Sequence, residues 1–126
     1  MRHEAIFSGV FQAQTKIAAD KRGESDVLLN LGNVLVERGE LASAKPNYDR
    51  ALTIAREIGY RLGEGYILQA QADVYIVQDR LQDARASVQQ AIAIRQETHG
   101  QVSVARSQMQ LARIALEEGK PTSRND

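Results

Sequence analysis

Cysteine and tryptophan are absent from this chain, and proline and histidine occur only twice each. The lack of cysteine excludes a disulfide framework and any thiolate metal site. His3 and His99 lie far apart in sequence, and neither has a nucleophile or metal-ligand partner at useful spacing. No metal and no other cofactor is expected. Charge of one sign is missing too. Basic and acidic residues number 16 each, so no net field attracts nucleic acid or an anionic membrane surface. Long apolar runs are also lacking. No stretch approaches the roughly 20 apolar residues that cross a bilayer. Met1-Arg2-His3-Glu4 is followed by too few apolar residues for a secretory signal. These absences describe a soluble, cytoplasmic chain of one domain at most, or a piece of a longer one. No residue set supports acid–base catalysis, and an enzyme is not expected. Glu37-x-x-Glu40 and Glu117-Glu118 read as solvated faces. Gly63-Glu64-Gly65 resembles the start of a nucleotide loop, but Leu68 stands in place of the third glycine and no strand precedes it. It reads as a turn and a helix start.

What the chain has in abundance is Ala, Leu, Gln, Glu and Arg, all compatible with helix. Spacing of 3.6 residues predicts six amphipathic helices, at about 4–19, 25–38, 41–59, 62–78, 81–98 and 102–118. Asp20-Lys21-Arg22-Gly23 is expected to be a polar turn. Ser25 is placed to cap the second helix, which turns Leu28, Leu31, Val34 and Leu35 inward. The third turns Leu41, Ala44, Tyr48, Ala51, Leu52, Ala55 and Ile58 inward. Gly39, His99-Gly100 and Gly119-Lys120-Pro121 end helices, and 120–126 is a disordered polar tail. Pro46 is a local conflict, because proline in a helix interior costs about 3 kcal/mol. The third helix is therefore expected to start nearer Ser43, or to pass an irregular turn first. Short connections make neighbouring helices antiparallel. Gly39-Glu40 is the tighter of the two turn types and Gly59-Tyr60-Arg61 the longer.

The chain also repeats itself. Leu28-x-x-Leu31-Gly32-x-x-Leu35 recurs 40 residues on as Leu68-x-x-Gln71-Ala72-x-x-Tyr75, and more faintly as Leu111-Ala112-x-x-Ala115. Gly39-x-Leu41-x-x-Ala44-x-x-x-Tyr48-x-x-Ala51-Leu52-x-Ile54 returns as Asp79-x-Leu81-x-x-Ala84-x-x-x-Val88-x-x-Ala91-Ile92-x-Ile94. A period of this size means stacked hairpins of two helices, A and then B. Small residues recur at Gly32, Ala72 and Ala112, at Ala44 and Ala84, and at Ala51 and Ala91. They let neighbouring helices approach closely, and larger residues there would overpack.

At Leu28, Leu31-Gly32, Leu35, Ala44, Tyr48 and Ala51 the chain resembles the tetratricopeptide repeat family, and Leu68, Ala72, Tyr75, Ala84 and Ala91 follow the same pattern. The usual family period is about 34 residues. The six extra residues lengthen each hairpin by about 9 Å of helix. Ala44-Lys45-Pro46-x-Tyr48-x-Arg50-Ala51-Leu52-x-Ile54 is similar to the longer-period branch found in kinesin light chains and bacterial regulatory proteins. The resemblance implies an all-α, right-handed α-solenoid of antiparallel hairpins. Residues 4–24 would be a B-type half repeat, 25–64 and 65–104 two full repeats, and 105–119 an A-type half repeat. It also implies a non-catalytic module that binds a peptide or protein in a concave groove of A helices. Transferred by register, the groove residues are Leu29, Asn33 and Val36, then Tyr66, Gln69, Asp73 and Ile76, then Arg106, Met109 and Arg113. Exposed together, Leu29, Tyr66 and Ile76 would make an apolar patch of the kind that marks interaction sites. In one subfamily, Lys and Asn clamp a peptide's C-terminal carboxylate. Asn33 and Arg106 fit that arrangement, but Leu29, Asp73 and Gln110 do not, and Asp73 repels a carboxylate. The alternatives are a sensor or coupling segment of a larger regulator, and a homodimer formed through uncapped terminal helices.

Overall fold

A computed structural model describes the backbone of residues 2–98 and 101–119. Among these residues there is no strand. The helices are α1 (Arg2–Glu37), α2 (Leu41–Glu57), α3 (Arg61–Val77), α4 (Leu81–Thr98) and α5 (Gln101–Gly119). Those after α1 begin at positions 41, 61, 81 and 101, so the 40-residue period splits into equal halves.

The turns explain this regularity. Gly39, Gly59 and Asp79 take left-handed conformations, with φ of 77°, 69° and 61°. After each, the chain closes the same pair of bonds. Gly39 and Glu40 donate to Val36 and Leu35, Gly59 and Tyr60 to Arg56 and Ala55, and Asp79 and Arg80 to Ile76 and Tyr75. This is the Schellman ending, which satisfies carbonyls that the helix leaves open. The two turn types are therefore alike, correcting the expectation of a longer one at Gly59. A Cβ added at Gly59 meets nothing within 4 Å, so its substitution tests conformation alone. Gly59→Ala should cost about 1–2 kcal/mol, read as a lower urea midpoint. An unchanged midpoint would show that the turn tolerates an ordinary residue.

Three further expectations are corrected. The first two predicted helices are one, giving five helices among the described residues. Asp20 to Gly23 do not form a turn, because one glycine costs a helix only about 1 kcal/mol. Arg22 lies over the Tyr60 ring at 4.6 Å, and the Tyr60 hydroxyl donates to Asp26 at 2.9 Å, holding α1 on both sides of Gly23. Ser25 is consequently not a cap. It is fully buried inside α1 and donates to the Ala51 carbonyl at 2.9 Å. Lastly, α2 runs from Leu41 straight through Pro46. Pro46 and Ala42, whose carbonyl loses its helical donor, are both exposed, so water can replace the missing bond. His99-Gly100, the tail at 120–126 and the His3 side chain lie outside the described residues.

Each helix packs on the next. In addition α1 touches α3, and α3 touches α5, while α2 and α4 stand further apart and are joined by side chains, Arg56 donating to Gln90 at 3.3 Å. The A helices thus form the inner, tighter row and the B helices the outer one. Two apolar clusters fill the stack. Tyr48, Leu52, Ile67, Leu68 and Ile94 lead the first, and Ala72, Ile76, Val88 and Ile114 lead the second. The small-residue positions 44, 51, 72, 84 and 91 are alanines with no exposed surface. At Gly32, a Cβ would sit 2.5 Å from the Tyr48 ring. Ala112 departs from this ladder and is exposed. Leu31 and Val34, expected inside, are also exposed.

Candidate functional site

A cleft of about 370 Å³ opens on the inner row. Leu29, Asn33, Val36 and Glu37 supply it from α1, with Tyr66, Gln69, Ala70 and Asp73 from α3 and Arg106 from α5; Tyr48 of α2 forms part of its base. Seven of the ten residues expected by register therefore meet in one place. Three do not. Ile76 is buried against Ala84 and Val88, which removes it from any exposed apolar patch. Met109 and Arg113 are exposed on α5 but do not line the cleft. Register transfer missed Tyr48, which was expected in the core, and on the A helices Glu37 and Ala70. Glu37 and Ala70 each lie one helical turn beyond a chosen residue, Asn33 and Tyr66, so helical spacing alone would have found them.

The floor is a polar network. Gln69 donates to Ser107 at 3.1 Å and accepts from Arg95 at 3.0 Å. Gln110 donates to the Gln69 carbonyl at 3.0 Å and to the Asp73 carboxylate at 2.8 Å. Arg95 is only 2 % exposed and lies 3.8 Å from the centre of the Tyr66 ring. A cation over an aromatic face offsets part of its desolvation. Gly65 leaves room for this guanidinium, since a Cβ there would be 2.8 Å from its Nε. Gly63 makes room for the Tyr60 ring in the same way. These glycines thus lie inside α3 and serve packing.

The walls differ in character. The Tyr48 hydroxyl donates to Asn33 Oδ1 at 2.7 Å. Burial, reinforced by the charge of Asp73, pushes its pKa up to about 12, so it keeps its proton near neutrality. Asn33 retains its amide N–H groups for a ligand. Neither Glu37 nor Arg106 has a hydrogen-bond or ion-pair partner among the described residues. The cleft therefore carries acids at Glu37 and Asp73, a base at Arg106, and apolar surface at Leu29, Val36 and Tyr66.

Antiparallel hairpins in a regular stack, with a cleft along the inner row, define a helical-repeat protein. Residues 23–97 match the tetratricopeptide repeat family. The chain belongs to that family, whose repeats generally mediate protein–protein interaction and are typically non-catalytic. No curated protein and no solved structure matches it. Among the described residues, no group of three or more His, Asp or Glu is placed to hold a metal ion, and no helix is long and apolar enough to cross a membrane.

Proposed function

We propose that the cleft binds a peptide or an exposed segment of another protein, with a Lys or Arg of the ligand seated against Asp73 and Glu37. The 40-residue period supports the longer-period type of repeat, and membership of the family implies a right-handed stack. The observation that carries the reading is the cleft's lining: apolar surface at Leu29, Val36 and Tyr66 beside Glu37 and Arg106, which have no ion-pair partner among the described residues. Such surface fits a ligand offering both an apolar side chain and a charge. A peptide's C-terminal carboxylate fits poorly, because Asp73 stands at the centre. A sensor or coupling role in a larger regulator is the second reading. It is favoured by Gln69, which lines the cleft and is bonded to both α4 and α5.

Panning random displayed peptides against the chain tests the first reading. Selected peptides should be enriched in Lys or Arg next to an apolar residue. They should lose about 10-fold or more in affinity on Tyr66→Ala, with helicity unchanged by circular dichroism. Binders indifferent to Tyr66→Ala would place the interaction elsewhere.

A further inference from the structure

Helix α1 carries an apolar stripe that none of the described residues covers. Val27, Leu31 and Val34 are 64 %, 46 % and 48 % exposed. One period along, the same positions are Ile67, Gln71 and Val74, all buried. There α2 covers them: Gln71 donates to Asp49 of α2 at 3.1 Å, and Ile67 and Val74 join the cluster of Tyr48 and Leu52. A further period along stand Ser107, Leu111 and Ile114, packed in turn against the preceding pair of helices. The face on α1 thus has the form that elsewhere receives an antiparallel helix.

The same stripe continues toward the start of α1. Ala13 and Ile17 are exposed, and so is every residue from Lys16 to Asp20. Positions 13, 17, 20, 24, 27, 31 and 34 alternate by three and four residues, the spacing of a helix-pairing seam. In the sequence this spacing runs on through Val10 and Ile6. Arg22, stacked on Tyr60, lies on the opposite side of the helix.

The stripe is also symmetric about residue 22. Positions 13 and 31 are equidistant from it, as are 17 and 27, and 20 and 24. We propose that two copies of this chain pair through α1, antiparallel and crossing at residue 22. Ala13 then faces Leu31 of the second copy, a small residue against a large one, and Ile17 faces Val27. The first half of each α1 takes the place that α2 takes on α3. The central layer is polar but balanced in charge. Asp20 and Glu24 supply two acids, and Lys21 and Arg50 lie 3.5 and 3.7 Å from Glu24. A polar layer within an apolar seam fixes register. Asn33 and Leu29 are on the far side of α1 from Leu31, so the pair leaves both clefts open.

Sedimentation of the whole chain at tens of micromolar should give a dimer. Ile17→Glu and Leu31→Glu should give monomers of unchanged helicity, whereas Met109→Glu, on the exposed face of α5, should remain dimeric. The absence of cysteine permits a test of direction. Ile17→Cys with Val27→Cys should oxidise to a disulfide-linked dimer, and Ile17→Cys alone should not. Within one helix these positions are about 15 Å apart and cannot bridge, since a disulfide needs roughly 7 Å or less. A monomeric chain, a dimer indifferent to Leu31→Glu or broken by Met109→Glu, or efficient cross-linking by Ile17→Cys alone would each overturn the proposal.

Discussion

Leucine in place of Ala84 should lower the melting temperature by roughly 3–15 °C, while leucine in place of Ala112 should leave it almost unchanged. Ala84 has no exposed surface and packs with Ala72, Ile76, Val88 and Ile114 in the second cluster. It also lies in the first turn of α4, where its N–H bonds the Arg80 carbonyl at 3.0 Å and the helix start is fixed against the preceding turn. Three added carbons have no void to enter. They must push α3, α4 and α5 apart or adopt strained rotamers, at a cost of about 1–3 kcal/mol. For a chain of this length that corresponds to the stated shift. Ala112 belongs to the same repeating ladder by sequence but is exposed, and a surface change of this kind stays within about 0.5 kcal/mol. Thermal unfolding of both variants separates packing from propensity, because leucine is nearly as good a helix former as alanine. Equal melting temperatures would show that the small residues are not a packing code.

The contrast between these two alanines also shows what the sequence could and could not reveal. Periodicity located four of the six predicted helices to within a few residues, because each of those helices buries its stripe within this chain. It placed Gly39 and Gly59 at turns for the same reason, since a left-handed residue must follow the last apolar position. Asp20 to Gly23 looked like another such turn. The contacts there, Arg22 on the Tyr60 ring and Asp26 with its hydroxyl, hold the helix across Gly23, and charged residues with a single glycine are compatible with helix. Leu31 and Val34 were expected inside because a repeat pattern states which face can be buried. It does not state whether a neighbouring helix is present to bury it. The cleft was legible as far as register carries, through Asn33, Tyr66 and Asp73. Its floor was not. Gln69 was chosen by register, but nothing in the sequence ties it to Arg95, Ser107 and Gln110, and only three-dimensional proximity reveals the hydrogen bonds among them. Pro46 was misjudged because the cost of a proline depends on which side of the helix loses its hydrogen bond.

Asp73→Asn should weaken capture of cleft-selected peptides about 5- to 20-fold, and Asp73→Arg about 100-fold or more. Asp73 Oδ1 accepts from Gln110 Nε2 at 2.8 Å, and asparagine can keep that bond while losing the charge. The first variant therefore isolates electrostatics from structure. Two unit charges about 4 Å apart interact by roughly 4 kcal/mol at an effective dielectric near 20. Desolvating the ligand's Lys or Arg and ordering its side chain consume much of that, leaving about 1–2 kcal/mol, which is the stated loss. Arginine at position 73 goes further. It repels a ligand cation, and it takes from Gln110 Nε2 one of its two acceptors, leaving only the Gln69 carbonyl, beside an Oε1 that has no partner among the described residues. Raising the salt concentration should weaken wild-type binding more than binding by Asp73→Asn, because only the former has the full attraction to screen. Fluorescence anisotropy with a selected peptide reads all three effects. If Asp73→Asn binds as tightly as wild type, the ligand's charge is not read at this position. Selectivity would then rest on Leu29, Val36 and Tyr66, with Glu37 and Arg106 as the charged groups left to read a ligand.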